Sequence, residues 1–91
     1  MIIQFDSDIV KKIKLGVLIR KNFKDALIIF AKDPYTPRLD NHPLKKNWYG
    51  YRSIDVNADY RAFYKEIKAA REITVYFVAI GTHKELYTTR K

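Results

Sequence analysis

Ninety-one residues with no cysteine describe a single domain, residues 1–91, that holds its core without disulfides or thiolate metal ligands. A hydrophobic fraction of 47% suffices for that core. No apolar run approaches the roughly 18–20 residues needed to span a bilayer. The start, Met1–Asp8, lacks the basic and long apolar regions of a signal peptide, so a cytoplasmic protein without membrane contact is expected. Eighteen Lys and Arg against ten Asp and Glu give a net charge of +8, which favours polyanions or an acidic protein as partners.

The chain opens on a short apolar run, Ile2–Phe5, readable as a strand. Asp6 or Ser7 can cap a helix, and Asp8 falls in its first turn, where the helix dipole favours negative charge. Ile9, Ile13 and Val17 recur every four residues, with Val10 and Leu18 widening the stripe, so Ser7–Arg20 reads as one amphipathic helix. Asn22 then reads as a second N-cap, with Asp25 in the capping-box position. Phe23, Ala26, Leu27, Phe30 and Ala31 mark one face of this second helix, which Pro34 and Pro37 end.

Beyond the prolines the period changes. Tyr49–Val56 is strand-like, Asn57 and Ala58 form a turn, and Tyr60–Ile67 is the next strand. A polar turn at Lys68–Arg71 leads to Glu72–Ile80, whose β-branched and aromatic run suits a central strand. Gly81 is expected to break it, leaving Thr82–Tyr87 as a tail or single helical turn. The result is a two-layer α+β domain of order β-α-α-β-β-β, two helices on a mostly antiparallel four-stranded sheet.

This second half also gathers the reactive side chains. Metal-independent cleavage of an RNA phosphodiester needs a base for the 2′-hydroxyl, an acid for the leaving 5′-oxygen, and a donor to the phosphorane. Histidine is the side chain that ordinarily titrates near neutrality, and the chain has two, His42 and His83. Arg52 and Arg61 offer planar forks for phosphate oxygens, or partners for Asp55 and Asp59 across a hairpin. Lys45 and Lys46 add positive charge beside Trp48, Tyr49 and Tyr51. These aromatics and Tyr60 either stack on bases or complete the core of a small sheet. Asp55 and Asp59 either orient a histidine or serve as a base, and Asp59 could instead only close the turn. Residue types alone reach a basic α+β domain with a phosphate site.

Three segments carry a resemblance: LDNHPL at Leu39–Leu44, GYRSIDVNADYRAFYK at Gly50–Lys65, and GTHKELY at Gly81–Tyr87. They resemble the bacterial RelE/ParE superfamily of toxins, most closely its YafQ branch. The specific match covers about half of the chain, and the helix-then-strand pattern extends it over nearly all the rest. The resemblance implies a ribosome-dependent endoribonuclease that cuts mRNA in the ribosomal A site without cofactor or metal. It also implies an antitoxin protein that wraps and neutralises the toxin.

Carried over by motif, His42 takes the histidine of H-P-L and Asp59 the aspartate opening D-x-x-x-x-Y. Arg61 takes the arginine of D-Y-R-x-x-Y, directed at the phosphorane, and His83, in G-[ST]-H, is the general acid. Tyr87 takes the aromatic near the C-terminus. Arg52 matches the arginine of G-Y-R, structural or phosphate-directed. Asp55 stands where YafQ-type toxins carry a third histidine, and an aspartate serves as an acid near neutral pH only with a large pKa rise. Two alternatives stay open: a ParE-like toxin that poisons a topoisomerase, and a decayed homologue that only binds.

Overall fold

The computed structural model describes residues 1–88. Strand β1 (Ile2–Phe5) is followed by helices α1 (Ser7–Leu15) and α2 (Val17–Lys32). After two single-turn 3₁₀ segments and the two-residue strand β2 (His42–Pro43) come β3 (Arg52–Asp55), β4 (Tyr60–Ala69), β5 (Glu72–Thr82) and α3 (His83–Thr88). The sheet order is β1-β5-β4-β3-β2. Only β1 runs parallel to its neighbour, β5; every other pair is antiparallel.

The expected fold class holds, with one strand more than expected. His42 and Pro43 pair with Ser53 and Arg52, so the H-P-L segment joins the sheet as its outer strand. Two-residue strands have no periodicity to read. Strand β3 is shorter than Tyr49–Val56 because Lys46–Trp48 forms a 3₁₀ turn and Gly50 takes φ 95°, a conformation L side chains rarely adopt. The Tyr60 strand runs on to Ala69, and only Ala70 and Arg71 turn the hairpin.

The helical half departs further. Asp6 is the N-cap of α1, its Oδ1 accepting from the Ser7 N–H at 2.7 Å. Gly16 then takes extended backbone (φ −125°, ψ 109°) and splits the expected Ser7–Arg20 helix in two. The second helix therefore starts at Val17, and Asn22 lies inside it, donating from Nδ2 to the Leu18 carbonyl instead of capping. Restarting the helix also resets the apolar stripe. Val17 and Leu18 are 72% and 70% exposed, Leu15 is 88% exposed, and Val10 faces solvent as well. Only Ile9 of the predicted α1 face is fully buried. Ala31 is exposed and Leu27 half-buried, whereas Phe23, Ala26 and Phe30 enter the core as predicted.

Two apolar clusters lie on opposite faces of the sheet. The larger joins Ile9, Phe23, Ala26 and Phe30 to Ile54, Val56, Ala62, Tyr64, Val75, Phe77 and Ile80. Its aromatic rings meet mostly edge to face, Phe30 lying 5.2 Å from Tyr64 and 5.7 Å from Phe77. The smaller holds Leu44, Trp48, Phe63 and Leu86, with Tyr51, Val78 and Ala79 against it. A bulge makes this division work: Phe63 pairs with Ala79 but Tyr64 pairs with Phe77, leaving Val78 as the extra residue. Val78 and Ala79 thus both serve the smaller cluster, and the main core passes from Val75 and Phe77 to Ile80. Gly81 does not break β5. It is buried, pairs with Arg61, and carries the strand to Thr82.

Candidate functional site

Strand parity decides which of the reactive residues can meet. Cross-strand partners share a face. His42, Ser53 and Phe63 form one row, and Asp55, Arg61 and Gly81 form the next. Both rows lie on the face of the smaller cluster, away from α2. The candidates His42, Asp55 and Arg61 are therefore neighbours because of register, although 19 positions separate the first and last in sequence.

His42 has a defined tautomer. Its Nδ1 lies 2.7 Å from the main-chain carbonyl oxygen of Asp40. A carbonyl only accepts, so Nδ1 carries the hydrogen, and in the neutral ring Nε2 keeps its lone pair. Asp40 sits in the left-handed region (φ 46°, ψ 47°), which turns that carbonyl toward the ring. The Asp40 carboxylate, 3.8 Å from Nδ1, adds an attraction whenever the imidazole is charged.

Asp55 and Arg61 form an ion pair, Oδ1 to Nε at 3.4 Å, without hydrogen-bond geometry at that oxygen. Burial pushes the Asp55 carboxyl above its ordinary value, and Arg61 opposes that rise without cancelling it. The ion pair and the raised pKa point opposite ways. The direction follows burial, because Oδ1 is shielded from water and lacks a compensating hydrogen bond. Ser53, between His42 and Phe63 in its row, also carries a buried hydroxyl without a hydrogen-bond partner.

The third part comes from α3. Thr82 and Glu85 cap this helix reciprocally: the Thr82 N–H donates to Glu85 Oε1 at 2.8 Å, and the Glu85 N–H donates to Thr82 Oγ1 at 3.1 Å. His83 and Tyr87 then fall four residues apart on one face, with ring centroids 4.4 Å apart. Tyr87 also meets Phe63 edge-on at 5.6 Å. Burial raises its phenol pKa, with Arg61 acting in the opposite direction, so the hydroxyl remains a donor at neutral pH.

Two of these side chains, His42 and Tyr87, line one hollow of about 350 Å³ together with Lys45, Lys46 and Trp48 among others, while the Asp55–Arg61 pair and His83 lie outside its lining. A larger hollow of about 840 Å³ runs between α1 and the smaller cluster, past Lys12, Tyr51, Lys65 and Tyr76. His42 and Tyr87 line the smaller hollow and neither lines the larger, so the smaller hollow is the candidate site. Among the described residues no group of three or more His, Cys, Asp or Glu is placed to hold a metal ion.

Some predicted residues fall elsewhere. Arg52 pairs with Tyr64 and so lies on the α2 face, opposite Asp55 and Arg61. Its Nε donates to Asn41 Oδ1 at 2.8 Å, and its guanidinium lies 5.3 Å from the Tyr35 ring centroid. Asn41 in turn donates to the Pro34 carbonyl and the Tyr64 hydroxyl. This is a structural clamp on the loop before β2. Trp48 is only 7% exposed and donates from Nε1 to the Leu86 carbonyl at 3.2 Å, so it anchors α3 instead of stacking on bases. Tyr51 packs on Trp48, and Tyr60 packs on the main core. Of the four stacking candidates Tyr49, 83% exposed, is the one left open to solvent, next in sequence to the Lys46–Trp48 turn.

Asp59 sits in the bend before β4, one residue before the Tyr60–Thr82 pair and outside the cluster. The bend is held by Asn57, whose Oδ1 accepts from the N–H groups of Asp59 and Tyr60. Sequence reasoning missed the Thr82–Glu85 cap, although T-H-K-E fits the capping-box signature at the start of α3.

The fold is a strand and a helical hairpin on a mostly antiparallel sheet, with the reactive rows on the sheet face away from α2. The chain belongs to the ParE toxin family, described as "ParE toxin of type II toxin-antitoxin system, parDE", which matches residues 7–87. It is thus a member of the RelE/ParE superfamily and stands close to YafQ. A YoeB/ParE toxin from Agrobacterium tumefaciens superposes with TM-score 0.71 at 17% identity, over 91% of this chain and 99% of that one. YafQ from E. coli strain BL21(DE3) gives 0.70 at 23%, over 93% and 96%. The toxin in the E. coli DinJ-YafQ complex gives 0.62 at 26%, also over 93% and 96%. No curated protein matches the chain.

Proposed function

We propose that this toxin is a ribosome-dependent endoribonuclease that cleaves mRNA by acid–base chemistry. The observation carrying this reading is that His42, with Nε2 unprotonated in the neutral ring, shares a hollow with Tyr87, whose ring lies tilted against His83 at 4.4 Å. His42 Nε2 takes the proton of the 2′-hydroxyl, and the 2′-oxygen bonds to phosphorus. The bond from phosphorus to the 5′-oxygen breaks, and His83 gives that oxygen its proton. The products are a 2′,3′-cyclic phosphate and a 5′-hydroxyl. Arg61 stabilises the phosphorane, Tyr87 donates a hydrogen bond to it, and Asp55 holds Arg61 in place. Lys45, Lys46 and Tyr49 engage the flanking RNA. Asp59, at the rim, has at most an orienting part. Primer extension on mRNA after induced expression tests this; cleavage at codon-aligned positions supports it, and intact transcripts refute it.

The partner is an antitoxin protein, as in the DinJ-YafQ complex. Its landing surface is the hairpin tip, where exposed Leu15, Val17 and Leu18 are flanked by exposed Lys11, Lys14, Arg20 and Lys21. An acidic amphipathic helix complements that surface in both polarity and charge. Both ribosome and antitoxin place its action in the cytoplasm.

The ParE description of the matching family favours a second reading, poisoning of a topoisomerase. That activity needs no acid–base pair, so a gyrase supercoiling assay with His83→Ala separates the two.

A further inference from the structure

Helix α3 has six residues, too few to persist by itself, yet it carries both His83 and Tyr87. Its C-terminal half is held by the Trp48 hydrogen bond to the Leu86 carbonyl and by burial of Leu86. Its start is held by a different set of residues. Glu85 Oε1 accepts the Thr82 N–H at 2.8 Å, and Lys12 of α1 donates from Nζ to the Ile80 carbonyl at 2.8 Å. The two side chains converge over Gly81. A Cβ built there would lie 3.0 Å from Glu85 Oε1 and 3.4 Å from both Glu85 Cβ and Lys12 Nζ. The hydrogen bond from Thr82 holds the Glu85 carboxyl below its usual range, and Lys12 lowers it further.

We infer that Glu85 and Lys12, packed together over Gly81, are positioning residues that fix the rotation of α3 and thereby set His83 against Tyr87, the ring that lines the hollow. The inference rests on the nuclease reading for its catalytic consequence and on geometry alone for its structural one. Glu85 and Lys12 both lie outside the lining of the smaller hollow. They act through the cap, and the missing side chain at position 81 gives them room to meet. A methyl group there presses on the capping carboxylate, so Gly81→Ala acts in the same direction as removing the cap.

The test has two arms on the full chain. In the first, NMR follows the His83 ring protons, which the Tyr87 ring shifts in the wild type. Glu85→Ala moves them toward free-histidine positions and speeds amide exchange in α3, while Glu85→Gln, which keeps the Oε1 acceptor, largely restores both. Lys12→Met and Gly81→Ala fall between. Unchanged ring shifts in Glu85→Ala overturn the inference. In the second arm, programmed ribosomes report kcat and KM for mRNA cleavage. Glu85→Ala lowers kcat about tenfold with KM within about twofold, as expected when a group is misplaced and not removed. Lost ring shifts with unchanged kcat overturn the positioning role. A wild type that cuts nothing sinks the nuclease reading, and the NMR arm then decides the structural claim by itself.

Discussion

The Nε of Arg61 lies 3.4 Å from Oδ1 of Asp55, across the β3–β4 pair. Asp55 nevertheless has its carboxyl pKa raised, because burial outweighs the arginine. With the folded pKa above the unfolded one, the native state binds more protons in between. Stability therefore falls as pH rises through that window and stays reduced above it. Asp55→Asn removes this cost. The variant is more stable than wild type at neutral pH, and the two converge below the ordinary carboxylate value of 3.8. Denaturation across pH checks this; a variant less stable at pH 7 contradicts it. Cleavage still falls, since Arg61 loses its partner.

Removing His42 separates base from scaffold. The imidazole is partly exposed, so His42→Ala leaves the melting temperature nearly unchanged. Its cleavage rate falls by roughly 10²–10⁴-fold, the usual worth of a positioned base. Cleavage by His42→Ala at the wild-type rate assigns the base elsewhere.

Arg52 provides the converse case. Its guanidinium clamps Asn41 on the opposite face, so Arg52→Met costs about 1–3 kcal/mol of stability through the lost charged hydrogen bond. RNA affinity below the melting transition and its salt dependence do not change. Lys45→Ala and Lys46→Ala weaken RNA binding and flatten its salt dependence without lowering stability. Chemical denaturation and salt-titrated binding distinguish the two classes.

At the hairpin tip, the double variant Leu15→Glu/Leu18→Glu abolishes co-purification with a co-expressed acidic antitoxin. Both side chains are mostly exposed, so folding and cleavage persist. Retained capture at native affinity contradicts the landing surface.

Ala70, at φ 54° in the β4–β5 turn, carries a Cβ where glycine is favoured. Ala70→Gly stabilises the domain by up to about 1 kcal/mol, the left-handed penalty less the entropy of glycine. A thermal melt measures it; a drop in melting temperature contradicts it.

What the sequence made legible follows local periodicity. Phe23, Ala26 and Phe30 announced the buried face of α2, and the β-branched run in Glu72–Ile80 announced the central strand. The failures have local causes as well. One glycine, Gly16, split a helix whose apolar spacing continued through it, and the same residue type at Gly81 broke nothing, because strand pairing and neighbouring side chains fill its place. The motif residues were nameable, but their faces were not. Arg52 and Arg61 look alike in sequence, and only the register of β3 against β4 puts one on the loop clamp and the other beside Asp55. Trp48 became an anchor through a contact with Leu86, 38 positions away, that no spacing rule reports.

The decisive measurement is mRNA cleavage on programmed ribosomes by the wild type and His83→Ala, with folding of both checked by circular dichroism. The acid–base reading predicts codon-aligned cuts by the wild type and a loss of roughly 10²–10⁴-fold in His83→Ala with the fold retained. Equal cleavage by both proteins, or intact mRNA with the wild type alongside inhibited gyrase supercoiling, contradicts it.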